Sequence, residues 1–172
     1  PRGFYVFDGY SAQRRAEATP GTLAVQSQNL NVAALYFAED AGRGGFSGFL
    51  ASDAAQNEFL QSSELKTLVG YPINGIATAN QGRMHATTPS AAAFALSYGR
   101  TYTSAAIRGI GGMTGGPLCV QYQGGSYFPA GIYVGGTTQG AVRAIDASVI
   151  GLFTRAETSA NGGDNNTDGG YR

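Results

Sequence analysis

The residues of this 172-residue chain best suited to chemistry sit in one glycine-rich stretch, Gly111-Gly112-Met113-Thr114-Gly115-Gly116-Pro117-Leu118. It sets a single hydroxyl, Thr114, between two glycine pairs. Glycine lets the backbone take the angles a tight turn demands and lets a ligand come close to the main chain. Other reactive groups are sparse. His85 is the only histidine and Cys119 the only cysteine. One cysteine excludes an internal disulfide, a cysteine-based zinc site and a CxxC redox pair. His85, within Arg83-Met84-His85-Ala86-Thr87, reads as a polar residue on a strand. Near the end, Asp164-Asn165-Asn166-Thr167-Asp168-Gly169 fits the first half of a calcium loop. Asp164, Asn166 and Asp168 would send alternate oxygens to one side, and Gly169 allows the sharp turn. No bidentate acid follows at the twelfth position, so the same text also reads as a plain linker, with no cofactor. Asn165-Asn166-Thr167 is in addition a glycosylation acceptor pattern.

These residues have to be held by strands. The apolar segments are short and punctuated by Gly, Pro, Asn and Ser. They are Phe4–Tyr10, Leu23–Val25, Val32–Phe37, Gly48–Ala51, Leu65–Tyr71, Arg83–Thr87, Ala93–Tyr98, Thr101–Ile107, Pro117–Tyr122, Tyr127–Val134 and Val142–Asp146. Alternation places Leu118, Val120 and Tyr122 on one face of a strand and Cys119, Gln121 and Gln123 on the other. Asn57–Ser63 is expected to form one helical turn on a loop. A helix is predicted late, where Val149, Leu152, Phe153 and Ala156 recur at helical period. Asp146 or Ser148 can cap its start, and Arg155 suits its negative end. The 27 glycines, about twice the ordinary share, suit tight turns between many short strands. The expected class is all-β and barrel-like, with one C-terminal helix.

Composition narrows the partners. Eleven Lys+Arg balance eleven Asp+Glu, for zero net charge. That removes the electrostatic footprint of a nucleic-acid binder and any polybasic pull toward anionic lipid. No apolar run approaches the roughly 20 residues of a helical membrane span. The first residue is not Met and no signal peptide is evident, so a processed chain, or a piece of a longer one, is expected.

The glycine-rich stretch resembles the nucleophile loop of chymotrypsin-like (trypsin-like) serine peptidases of the bacterial type, whose pattern is G-x-S-G-G-P-L. The resemblance implies that Thr114 stands at the nucleophile position. It also implies that Gly112 N–H and Thr114 N–H form the oxyanion hole, two donors aimed at one point. Ala130-Gly131-Ile132-Tyr133-Val134-Gly135-Gly136 is similar to the family's substrate-pairing strand, which makes Val134 and Gly136 substrate-binding positions. Val142–Asp146 resembles the next pocket-lining strand, the Val149–Glu157 helix the family's C-terminal helix, and Leu68-Val69-Gly70-Tyr71-Pro72 the strand opening the second barrel. The likeness is good over about residues 65–157, moderate over 29–64 and thin before. The implied organisation is a partial first barrel over 1–64, a complete second barrel with its helix over 65–157, and a Gly/Asn-rich tail over 158–172. Met113 replaces the aspartate that in many members pairs with a freed N-terminus. Cys119 follows the P-L of the motif without a disulfide partner, so a buried thiol is expected.

Three departures separate this text from working chemistry. The serine position holds Thr114, whose β-methyl restricts χ1 and crowds the line of attack. Asn29-Leu30-Asn31-Val32-Ala33-Ala34-Leu35 is similar to the family's D-[IV]-A-x-L segment, so Asn31 occupies the acid position, where it favours the wrong tautomer of a histidine partner. In trypsin, the worked example of this effect, that exchange costs roughly 10⁴ in rate. No histidine precedes Asn31. An inactive pseudo-peptidase is therefore expected, with a structural, self-assembling or peptide-binding role. The alternative is a hydrolase whose histidine lies on another segment. Arg108 and Arg143 fall where the family lines its primary pocket. They read either as a cationic clamp for an acidic side chain or as solvated or ion-paired residues. A half-lost barrel leaves strand edges, which points to a homo-oligomer or fibre, with the tail docked on a neighbour. The resemblance implies an extracellular or periplasmic setting.

Overall fold

The computed structural model describes residues 4–8, 32–37, 47–136, 138–161 and 170–171. Leu23–Val25, Asn31, Asp164, Asn166 and Asp168 lie outside them. The chain forms two compact units, Ser47–Asp146 and the remainder.

Seven antiparallel strands make the first unit: β3 (Lys66–Gly70), β4 (His85–Ala86), β5 (Ala95–Tyr98), β6 (Thr101–Ser104), β7 (Pro117–Gln121), β8 (Tyr127–Gly135) and β9 (Gly140–Ala144). Their order across the sheet is β4-β3-β7-β8-β9-β6-β5. One face carries the core: Leu68, Tyr102, Leu118, Val120, Ala130, Tyr133, Val142 and Ala144, joined by Leu60, Phe94, Ile107 and Met113 from connecting segments. Burying a large apolar side chain contributes about 1.5–3 kcal/mol, so this face dominates the unit's stability. Leu118 and Val120 share the core as alternation predicts. Tyr122 lies past the strand end and is exposed, its ring set edge-on to Phe59 and Phe128.

Local sequence explains the connections. Gln123 and Gly124 both have positive φ (52° and 68°), and Gly125 N–H donates to Tyr122 O, which makes the mirror-image turn that suits a hairpin between β7 and β8. Asn57 starts the expected single turn. Its Oδ1 accepts from the N–H groups of Phe59 and Leu60, while Gln61 N–H donates to Asn57 O. Gly48–Ala51 forms no strand, yet Leu50 N–H bonds Pro129 O.

The sheet is not closed among the described residues. β4 and β5 stand at its two ends and no ladder joins them. β4 is only two residues long. The chain after it stays beside β3, through Thr87 N–H to Leu68 O and paired bonds between Ser90 and Lys66, before Phe94 enters the core.

In the other unit, β1 (Phe4–Asp8) pairs antiparallel with β2 (Ala33–Phe37). On its other side β1 takes β10 (Gly170–Tyr171), so the segment expected as a linker carries a two-residue strand within this chain. Helix α1 (Ala147–Asn161) packs on β2 and β1. Val149 and Leu152 of the predicted stripe are fully buried, with Val32 and Ala34 also inside. The helix outruns the predicted Val149–Glu157, ending where the sequence meets Gly162-Gly163, a pair poor in helix propensity. The described residues form a mostly antiparallel β structure with one C-terminal helix.

Candidate functional site

The Thr114 turn is built around one residue of β8, Tyr133. The side chain of Tyr133 is in the core, and its hydroxyl accepts the Gly109 N–H at 3.1 Å. A Cβ on Gly109 would sit 2.5 Å from the ring, so glycine is what allows the loop to lie on it. The Tyr133 backbone holds the other end of the loop. Gly115 N–H donates to Tyr133 O and Tyr133 N–H donates to Gly116 O, each at 2.8 Å. Between these anchors two tight turns are closed by Met113 N–H to Ile110 O (3.0 Å) and Gly116 N–H to Met113 O (2.9 Å). From the far side Gly111 O accepts from Ile73 N–H and Asn74 N–H. Met113, fully buried, pins the turn to the core.

The glycines here answer to crowding as well as to dihedral angle. Gly112 (φ +101°) would place a Cβ 2.7 Å from Ile73 N, and a Cβ on Gly116 would run into Val69 O. With these contacts made, Thr114 is left exposed on the turn. Among the described residues neither its hydroxyl, its N–H, nor the Gly112 N–H has a hydrogen-bond partner.

The end of β8 lies next to this turn. Its ladder with β7 stops at Ile132, opposite Pro117, and the last bonds on that side are those of Tyr133 to Gly115 and Gly116. On the other side the β9 ladder continues to Gly135, opposite Ala141. β8 thus runs past the end of β7, and beyond Tyr133 no ladder covers that side among the described residues. Gly135 (φ +111°) and Gly136 (φ +128°) follow a register shift. A Cβ on Gly135 would lie 3.9 Å from Thr114 Oγ1, so the unpaired strand end and the threonine hydroxyl are neighbours. Gly135 is in this way placed beside Thr114, with Gly112 two residues before Thr114 in the same turn and Val134 and Gly136 flanking Gly135 in the chain.

The two arginines differ. Arg143 is buried. Its guanidinium donates to Asp146 Oδ2 and to Ala144 O, both at 2.8 Å, and Asp146 is itself 3% exposed. A fork engaged in this manner is a structural ion pair. Arg100 Nε approaches the same carboxylate at 3.8 Å. Arg108 is exposed and makes no ion pair among the described residues. His85 sits on β4 opposite Gly70 and its imidazole forms no hydrogen bond among the described residues, so no imidazole is within bonding reach of Thr114 Oγ1 there. Cys119 is buried, and burial pushes its thiol pKa up. No three His, Cys, Asp or Glu side chains gather around a metal-sized space among the described residues, and no helix among them is long and apolar enough to cross a membrane.

Sequence reasoning missed two residues. Tyr133 stood in the strand text with nothing to distinguish it from other aromatics. Lys66, the only lysine, is fully buried, its ammonium donating to Ser62 O at 2.6 Å and Glu64 O at 2.9 Å. Desolvation lowers its pKa, against the opposing pull of Glu64. A lysine beside a strand gives no signal in sequence that it turns inward.

No family model matches the chain, and comparisons with curated proteins and with solved structures find no match either.

Proposed function

We propose that this chain is a catalytically inactive module on a trypsin-like scaffold that binds an extended peptide along the free end of β8. One observation carries it: among the described residues, an unpaired strand end adjoins a turn that presents an exposed hydroxyl and two unengaged N–H groups, with no base in reach. A peptide adding to a sheet edge gains main-chain hydrogen bonds whatever its sequence, and pockets at alternate residues then select it. Without a base the hydroxyl is not activated, and the losses from Thr114, Asn31 and the missing histidine overlap because triad members act as a unit.

Two features support the barrel that this reading requires. The end strands β4 and β5 are consecutive in the chain, and the segment between them follows β3 and buries Phe94 against the common core. The exposed edge strand β5 is where a second copy can pair. Secretion or periplasmic residence, and assembly through that edge, belong to the same proposal.

The intact turn favours one rival, a hydrolase completed by a histidine from elsewhere. A fluorophosphonate probe separates the two. The inactive module stays unlabelled, including when Thr114→Ser and Asn31→Asp are introduced into the chain. Acylation at residue 114 of the unaltered protein would overturn the proposal.

A further inference from the structure

We propose that the Thr114 turn captures the free C-terminal carboxylate of the bound peptide, which rests on the peptide-binding reading above and specifies its ligand. The Gly112 and Thr114 N–H groups and the Thr114 hydroxyl are three donors on one short turn, and none is engaged among the described residues. Backbone N–H groups gathered on a turn with a left-handed glycine form an anion-binding concavity, and Gly112 has φ +101°. Donors in such a place hold an anion far better than a neutral carbonyl, because charge-assisted hydrogen bonds are about twice as strong.

In a working hydrolase the anion is made on the spot, by attack on the carbonyl. Among the described residues no base stands within bonding reach of Thr114 Oγ1 to make it. The stable anion that an extended peptide can bring to this turn is its own terminal carboxylate. The strand geometry fits that end of the chain. A peptide whose terminus lies at Thr114 and whose body follows the unpaired side of Val134 and Gly135 toward Gly136 runs backward along β8. It is therefore antiparallel to β8, the same orientation as every ladder in the seven-stranded sheet. Gly135 puts no side chain between the strand end and Thr114 Oγ1, whereas Gly136 is glycine because a Cβ there would meet Gln139 O. Arg143 takes no part, since its guanidinium is bound to Asp146.

The test uses the full chain and two synthetic pools of random pentapeptides, fluorescein-labelled at the N-terminus. One pool ends in the free acid and the other in the amide. Fluorescence polarisation is expected to show the acid pool binding at least tenfold more tightly, with Thr114→Val weakening it by about tenfold, because one of the three donors is lost, and the two N–H groups retaining a smaller preference for the acid. In ¹⁵N-labelled protein the Gly112 and Thr114 amide protons are expected to move downfield with the acid pool and not with the amide pool. Equal binding of both pools with those two resonances unmoved overturns carboxylate capture and leaves peptide binding intact. Binding of neither pool at millimolar concentration removes the peptide-binding reading and this proposal with it.

Discussion

The glycine turn around Thr114 and the glycine turn between β7 and β8 look alike in the sequence and do different work. Gly124 has φ +68° and nothing within 4 Å of where a Cβ would stand. It is glycine for its dihedral angle alone. Gly116 and Gly109 have no left-handed φ among the special angles of this chain, yet a Cβ on either meets the backbone of β3 or the ring of Tyr133. They are glycine because other parts of the protein come too close. Gly112 is constrained in both ways. The hairpin turn only reverses the chain, whereas the Thr114 turn is pressed against β3, the segment after it, and β8 from three sides. Its shape is fixed by tertiary contacts, which is what a preorganised set of donors needs.

This contrast can be broken by substitution. Gly116→Ala is expected to have the largest effect, about 3 kcal/mol or more, because rigid backbone at Val69 cannot yield; a urea melt measures it, and a loss below 1 kcal/mol would show that the turn is looser than described. Gly112→Ala adds dihedral strain to a collision and should cost about 2–3 kcal/mol. Gly124→Ala is expected to cost about 1–2 kcal/mol, the left-handed penalty by itself, with peptide affinity unchanged in the polarisation assay. Tyr133→Phe removes one hydrogen bond, about 1 kcal/mol of stability. It should nevertheless weaken the acid pool more than Gly124→Ala does, because it releases the Gly109 end of the loop. Equal affinities for those two variants would mean that Tyr133 fills the core and positions nothing.

The class of fold was legible in the sequence, for reasons specific to particular segments. Val149, Leu152 and Phe153 announced α1 by period. The alternation of Leu118 and Val120, and the glycines between short apolar runs, announced antiparallel strands. The glycine-rich stretch pointed to the turn that carries Thr114. Less could be read where the outcome depended on distant partners. Nothing in Lys66-Thr67-Leu68 says that the ammonium folds back onto the carbonyls of Ser62 and Glu64. The engagement of Arg143 was written locally, three residues before Asp146, but the same spacing suits a solvated pair, and only burial decides between them. Closure of the sheet was the weakest expectation, because it depends on a ladder between two short end strands that local pattern does not specify. The position of Lys66 also sets a pH trend. Its pKa is lowered in the folded state, so across the interval between that value and the ordinary 10.5 the unfolded chain binds more protons. Its contribution to stability therefore rises with pH through that interval.

With its single lysine enclosed, the folded protein offers no side-chain primary amine to the outside. Succinimidyl esters, acetyl donors and other acylating reagents can reach that nitrogen only in molecules that have opened around β3. The rate at which the peptide containing position 66 gains mass in such a reagent would thus act as a stopwatch for opening of the sheet, without any engineered label.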